Sequence, residues 1–266
     1  MTLAAKELGF RFLEAIGAVA VGRWRNRHAA MVLTYHAVTD VDPLLYRRFP
    51  LVYANATSTD QLQVHLGYLK RHYHLLDAEE FLDCLGRGRF PHQSALLTFD
   101  DGLRCHARIA GPLLASEGAP GVAFLPTGMI DDATDGRVGW QWTDALAALV
   151  YARGVALRDK WAAARAYLEP LLPDLNRDAT DEDLIQSLWT AFWKLDHARR
   201  SGAMQEVAAL IGGLPDPAEF PADRHGTSVL SAMSWPEARA LASQGVELGG
   251  HSVHHSLMSE LMPHEV

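Results

Sequence analysis

Two neighbouring carboxylates follow an apolar run in residues 96–102 (LLTFDDG). The β-favouring residues predict a buried strand that ends at an exposed, charged tip. Because side chains alternate along an extended strand, we expect Asp100 and Asp101 to point in different directions, so that one could bind a metal while the other faces a substrate or water. An acidic pair after a strand is also typical of a solvated turn. The pair alone leaves a metal site and a simple turn as alternatives.

A histidine pair lies far downstream, in residues 249–255 (GGHSVHH). His251 and His255 are four residues apart, so one helical turn would place both imidazoles on the same face. We expect Ser252 to cap that turn by accepting the backbone N–H of His255. Together with a carboxylate from another strand end, two imidazoles supply three ligands of a catalytic zinc site that keeps an open position.

The composition limits the class of protein. The 266 residues, 48% hydrophobic and 21% charged, suffice for one large α/β domain or two small ones. The net charge of -8 argues against a nucleic-acid partner, because a broad basic surface is needed to displace the counterions of phosphates. The two cysteines provide neither a disulfide framework nor a CxxC metal motif.

Residues 1–30 predict an amphipathic helix followed by a basic linker. The apolar face of this helix consists of Leu8, Phe12, Ile16 and Val19. Charged residues interrupt the apolar run, so we expect neither a cleavable signal peptide nor a membrane span. The face could pack against the domain or lie on a membrane surface, helped by the arginines that follow it. A cytoplasmic location, or one peripheral to the membrane, is the corresponding expectation.

Strands and helices alternate through residues 31–125. Strands are predicted at 31–36, 73–76, 96–99 and 121–125, and helices at 59–71, at 78–85 and up to residue 117. This rhythm is typical of parallel βα units, whose active sites form at the carboxyl ends of the strands. His36, Asp100 and Asp101 all come at such ends.

Residues 140–228 interrupt this rhythm and predict a helical insertion. Helices are expected near residues 142–152, 159–168, 181–197 and 202–210. The tryptophans of this region could belong to the core or stack on sugar rings, and their helical spacing favours the core: Trp140, Trp142, Trp189 and Trp193. A helix that starts at Ser234 and a strand at 246–250 then resume the α/β pattern, for about five strands in all.

The segment with the two aspartates and the segment with the histidine pair both resemble signatures of one family. Residues 98–102 (TFDDG) resemble the first signature, and residues 251–255 (HSVHH) the second, of the polysaccharide deacetylases (carbohydrate esterase family 4, the NodB homology domain). Residues 233–249 are similar to the helix and strand that precede the second signature. Residues 33–36 (LTYH) resemble the branch in which a sugar-site signature lies near the N-terminus, which includes the biofilm poly-N-acetylglucosamine deacetylases.

The resemblance implies a fold, a reaction and a set of roles. Residues 31–266 would form an α/β domain, an incomplete (β/α) barrel of NodB type with a helical insertion. It would remove acetyl groups, mostly N-acetyl groups of amino sugars, from a polysaccharide. By this match Asp100 is the catalytic base, His36 the general acid, and Asp101, His251 and His255 the metal ligands. The mixed oxygen and nitrogen ligands favour zinc. For His36 the alternative is a structural histidine.

One departure from the family pattern concerns the C-terminal end. Val266 follows His255 by eleven residues, whereas the family continues with further strands and commonly a Tyr-Pro-x-Gly turn. We therefore expect a fragment or a truncated relative of the family. An inactive deacetylase-like protein that binds polysaccharide or a partner is the main alternative function, and an unrelated barrel hydrolase with Asp and His ligands is the other.

Overall fold

The structure is a computed structural model, and it describes residues 11–40, 51, 55–137, 139, 141–160, 180–216, 220 and 231–256. Five strands form one sheet in the described part of the chain. They are β1 (Ala30–Tyr35), β2 (His74–Leu76), β3 (Ser94–Phe99), β4 (Gly121–Leu125) and β5 (Val246–Gly250). The predicted strands agree with these to within two residues, and β1 ends one residue before His36.

Every pairing in this sheet is parallel. Strand β3 pairs with β1 along its whole length, with β2 through its first half, and with β4 at Thr98 and Phe99. Strand β5 pairs with β4 from Gly121 to Leu125. The carboxyl ends of these strands therefore lie along one edge, and the predicted α/β fold class with a parallel sheet is confirmed.

Helices follow the strands and cover the sheet. They are α2 (Thr59–His72), α3 (Ala78–Gly86), α4 (Gly111–Glu117), α5 (Thr127–Thr134) and α9 (Trp235–Ser243). Helices α2 and α9 each begin with a capping box, in which the cap serine and the glutamine or glutamate three residues later satisfy each other's backbone N–H. The start predicted at Ser234 is thereby confirmed. A π-helical turn, His106–Ala110, leads into α4.

The main core lies between this sheet and its helices. All six residues of β3 are buried, because the strand has neighbours on both sides and helices on its faces. The apolar face predicted for α2, formed by Leu62, Leu66 and Leu69, is buried against the sheet as expected.

Three further helices pack around a second core. They are α6 (Trp142–Asp159), α7 (Asp181–Phe192) and α8 (His197–Leu210). The buried leucines Leu146, Leu149, Leu184 and Leu188 lie in this second core. Burial between α6 and α7 thus accounts for much of the apolar content of the region.

Two predicted helices of this region need correction. The helix expected over residues 181–197 ends at Phe192, and α8 starts at His197. The guanidinium of Arg200 donates hydrogen bonds to the carbonyls of Phe192 and Leu195, which satisfies the end of α7, while Asp196 caps α8. The helix expected near 142–152 is longer than predicted, because α6 continues to Asp159. The helix expected near 159–168 falls mostly on residues 161–179, which, like Trp140, lie outside the described residues.

The N-terminal segment differs from the rest in its exposure. Residues 11–15 are helical, and α1 follows at Ala18–Arg25 without a single buried residue. Phe12 is 63% exposed and Ile16 is 59% exposed, so these two residues of the predicted face do not pack against the domain, whereas Val19 is half-buried. Leu8 lies outside the described residues. Within the described residues, no helix is long and apolar enough to cross a membrane.

Candidate functional site

The first signature forms a tight turn after the central strand. Strand β3 ends at Phe99, and the backbone N–H of Asp100 still donates to the carbonyl of Tyr35 at 2.9 Å. Asp101 then adopts a left-handed backbone with φ 79°, and Gly102 follows with φ 59°. The turn, not the pleat of a strand, separates the two carboxylates. Asp101 is only 7% exposed, so the expected exposed tip is wrong for this residue.

Gly102 is required at this turn for two reasons. Its φ lies in the left-handed region, and a Cβ atom there would lie 2.9 Å from Cδ1 of Ile130 in α5. Its carbonyl accepts the N–H of Met233 at 2.9 Å, which ties the turn to the segment before α9. Asp101 is therefore held in a strained conformation by its surroundings.

The second signature forms another turn at the end of β5. The N–H of His251 donates to the carbonyl of Leu125 at 3.0 Å, which continues the pairing of β5 with β4. Ser252 and His255 have positive φ angles of 59° and 53°, so the two histidines meet through a turn and not through helical spacing. The Ser252 hydroxyl accepts the N–H of Ser256 at 3.0 Å; the predicted partner, His255, is wrong by one residue.

The first turn of α5 supports this histidine-bearing turn. The N–H groups of Thr127 and Gly128 donate to the carbonyls of Ser252 and Val253 at 3.2 and 2.8 Å. A Cβ atom on Gly128 would lie 2.7 Å from the ring of His254, so only glycine allows this approach. These contacts fix the position of the turn against the sheet.

The two turns bring three potential metal ligands together. Oδ1 of Asp101 lies 3.5 Å from Nε2 of His251 and 3.3 Å from Nε2 of His255. One ligand atom from each residue lies within 4.8 Å of the others. Asp101 Oδ1 is buried and has no hydrogen-bond partner among the described residues. An unpaired buried carboxylate oxygen between two imidazole nitrogens fits a divalent cation.

His36 lies beside this cluster without joining it. Its Nε2 is 3.9 Å from Oδ2 of Asp101, and its side chain is 38% exposed. The carbonyl of His36 is 2.8 Å from Nε2 of His106, a histidine that is 1% exposed. Burial lowers the pKa of His106 to about 4, so its neutral ring donates from Nε2 to that carbonyl.

The two aspartates have opposite pKa shifts. Burial raises the pKa of Asp100, and the charge of His251 offsets this only in part. Burial would also raise the pKa of Asp101, but the contacts with His251 and His255 outweigh it and leave that pKa below its ordinary value. Asp101 is therefore held as a carboxylate, as a ligand must be, while Asp100 is a stronger base than an ordinary aspartate.

The histidines of the cluster differ as well. The contact with Asp101 raises the pKa of His251, whereas burial lowers the pKa of His255. His254 is not part of the cluster and lines a separate cavity of about 510 Å³ with Met129 and Trp142.

A cavity of about 410 Å³ opens over the cluster. His36, Asp101 and His255 line one side of it. The other side consists of residues on or beside α6 and α7: Gln141, Thr143, Asp144, Gln186 and Trp189. Of these, the sequence indicated only Trp189, as a residue of the core or a surface for sugar rings. His106 was also missed. Its position five residues after Asp101, on the segment that follows the acidic turn, was the only signal for it in the sequence.

Comparison with known proteins gave partial structural likenesses. No family model matches the chain, and no curated protein sequence does. Among solved structures, the Streptococcus pyogenes deacetylase PplD in complex with acetate is 24% identical over 38% of this chain and 44% of that chain, with a TM-score of 0.34. A de-N-acetylase from Aggregatibacter actinomycetemcomitans is 23% identical over 40% of each chain, with a TM-score of 0.33.

IcaB from Ammonifex degensii is 25% identical over 45% of this chain and 47% of its own, with a TM-score of 0.34. The chain thus spans less than half the length of the solved structures described here.

Proposed function

We propose that this protein is a metal-dependent hydrolase that removes acetyl groups from an acetylated polysaccharide, most simply N-acetyl groups from amino sugars. One observation carries the proposal: Asp101, His251 and His255 converge from two strand ends that are 150 residues apart in the sequence. His36 lies beside this cluster, and Asp100 is near enough to interact electrostatically with its histidines. The two segments of the cluster are also those that resemble the deacetylase signatures.

Asp101, His251 and His255 would hold the metal. A divalent ion bound there supplies a Lewis acid that polarises the acetyl carbonyl and lowers the pKa of water. The carboxylate and imidazole ligands favour zinc.

The remaining roles fall to side chains of the chain itself. Asp100, with its raised pKa, accepts a proton from the attacking water as the new C–O bond forms. His36 donates a proton to the sugar nitrogen as the C–N bond breaks, which releases acetate and a free amine. The exposed ring of His36 beside Asp101 supports this role, and the hydrogen bond from His106 to its backbone holds it in place.

The experiment combines metal content with acetate release. Purified protein is stripped with a chelator, reconstituted with zinc and analysed for bound metal, and acetate release from N-acetylglucosamine oligosaccharides is then measured. We expect one zinc per chain and zinc-dependent acetate release. His255→Ala should lose the metal, whereas the matched variant His254→Ala should keep it, because His254 lies outside the cluster.

Two results would contradict the proposal. One is the absence of stoichiometric metal in folded, reconstituted wild-type protein. The other is equal loss of zinc in the His254→Ala and His255→Ala variants. Metal binding without acetate release from any acetylated sugar or ester would favour the alternative function, a deacetylase-like protein that only binds polysaccharide.

A further inference from the structure

The cavity over the Asp–His–His cluster has two sides of different origin. One side belongs to the strand ends and carries His36, Asp101 and His255. The other side, here called the helical wall, consists of Gln141, Thr143, Asp144, Gln186 and Trp189. At about 410 Å³ the cavity is within the range of about 300–1,000 Å³ that is usual for small-molecule sites. It is larger than the proposed metal cluster and an acetyl group alone require.

Trp189 gives the helical wall a flat, fixed surface. Its Nε1–H donates to the carbonyl of Thr143 at 3.0 Å, which links α7 to the first turn of α6. This bond uses the only donor of the indole, so the part of the ring that lines the cavity offers an apolar face. A fixed aromatic face is suited to the apolar face of a pyranose ring.

Gln141 adds a buried donor next to that surface. The residue is 6% exposed, and its Nε2 has no hydrogen-bond partner in the described part of the chain, while its Oε1 is 3.3 Å from the hydroxyl of Thr143. A buried amide N–H is costly without a partner, and the Gln141 side chain faces Asp101 closely enough to lower the pKa of that carboxyl group. Gln141 thus lies at the junction of the two sides, where it positions the strand side against the helical wall.

Asp144 and Gln186 complete the wall with further polar groups. Burial raises the pKa of Asp144 to about 7, so its carboxyl group can donate or accept a hydrogen bond near neutral pH. Gln186 is exposed on α7, one turn before Trp189. One aromatic face surrounded by amide and carboxyl groups is suited to a ligand with many hydroxyl groups and little charge.

We propose that Asp144, Gln186 and Trp189 form a sugar-binding subsite for the N-acetylhexosamine unit presented to the cluster. The ring of that unit stacks on Trp189, and its hydroxyl groups form hydrogen bonds with the amide of Gln186 and the carboxyl group of Asp144. Helices α6 and α7 thereby select a polymeric N-acetylated sugar over a small acetyl ester. This inference rests on the proposed function, because it assigns the substrate unit of the same site.

The test compares an oligosaccharide with a small ester in matched variants. The probes are N-acetylglucosamine pentasaccharides, β-1,4- and β-1,6-linked, and p-nitrophenyl acetate. Trp189→Ala should raise KM for the better pentasaccharide about 10- to 100-fold, because the sugar ring loses its stacking surface; this factor corresponds to about 1.4–2.8 kcal/mol. Zinc content should stay at the wild-type level, KM for p-nitrophenyl acetate should rise much less than KM for the pentasaccharide, and Trp189→Phe should restore most of the affinity.

Trp193→Ala is the matched control. Trp193 ends the same helix and packs against Trp142, but it does not line this cavity. Its KM for the pentasaccharide should stay within twofold of the wild-type value. If Trp189→Ala fails to fold, Gln186→Ala replaces it, with an expected rise in KM of about three- to tenfold.

The outcomes separate this inference from the proposed function. A folded Trp189→Ala or Gln186→Ala variant with an unchanged pentasaccharide KM overturns the subsite and leaves the hydrolase intact. If the wild-type protein binds no zinc and hydrolyses neither probe, the proposed function fails, and calorimetric titration with the pentasaccharides decides the subsite alone. Binding that Trp189→Ala weakens would then support the subsite, whereas absent binding or equal binding would overturn it.

Discussion

The two sides of the cavity shift the pKa of an aspartate in opposite directions. On the strand side, contacts with histidines keep the pKa of Asp101 below its ordinary value despite burial. On the helical wall, burial without a cationic partner raises the pKa of Asp144 to about 7, and the charge of Asp101 adds to the shift. The charge of a buried carboxyl group therefore depends on burial together with the charged neighbours that oppose or reinforce its effect.

The backbone differs between the two sides as well. Asp101 and His255 both have positive φ angles, each of which costs on the order of 1–3 kcal/mol in a residue with a side chain. Trp189, by contrast, lies within a regular helix. The strained turns of the strand side thus lower its stability but place the ligands, whereas ordinary helix packing holds the helical wall without such strain.

The largest predicted effect separates the two aspartates of the strand side. Asp101→Asn should lose zinc and all acetate release, because an amide is a poor ligand for the cation. Asp100→Asn should keep zinc near the wild-type level and lower turnover by about 10³–10⁴, because it removes the base only. Elemental analysis and acetate release measure both variants. Equal zinc loss in the two variants would refute this division of roles.

The next effect concerns His36, at the border of the cavity. His36→Ala should lower the turnover of an N-acetylated sugar by about 10²–10³ and keep the metal. The loss should shrink for p-nitrophenyl acetate, whose leaving group needs no proton. An equal loss for both substrates would instead indicate that His36 is a structural histidine and not the general acid.

Asp144 tests the helical wall through the pH dependence of stability. Its folded pKa of about 7 lies above the value of about 3.9 for an unfolded aspartate, so the folded state binds more protons between these values. The contribution of Asp144 to stability is therefore full below pH 4, falls as the pH rises to about 7, and stays constant above that. Asp144→Asn, which cannot ionise, should gain roughly 1–3 kcal/mol relative to the wild type between pH 4.5 and pH 8.

Urea unfolding of metal-free protein at the two pH values measures this difference. The chelator is needed because a cation at Asp101 would change the charge that Asp144 experiences. A difference that does not change with pH would mean that Asp144 ionises in the folded state as readily as in the unfolded chain.

The smallest effect concerns the cap of the helix that carries Trp189. The Thr180 hydroxyl accepts the N–H of Asp183 at 3.1 Å, so Thr180→Ala should lower the free energy of unfolding by about 1 kcal/mol without altering zinc binding. Thr190→Ala is the control: this exposed hydroxyl on the same helix donates only to the carbonyl of Gln186, and its removal should cost less than about 0.5 kcal/mol. Loss of zinc in Thr180→Ala would show that the two sides are not independent.

The sequence by itself determined most of the local structure. Apolar runs such as β3, the helix start at Ser234 and the apolar face of α2 all depend on neighbours close in the chain, which a sequence displays directly. The two candidate segments were recognised in the same way, from residue types at short spacings, while the choice of Asp101 and not Asp100 as a ligand came from the resemblance to the deacetylase signatures.

Only the tertiary structure decided how these segments meet. The left-handed turns at Asp101 and His255, the partner of Ser252, and the break between α7 and α8 depend on carbonyls and side chains that lie far away or are set by packing. The burial that shifts the pKa of His106 and of Asp144 exists only in the folded chain. Gln141 and Trp189 reach the cavity because α6 and α7 bury their leucines against each other, and no spacing within the sequence records that contact.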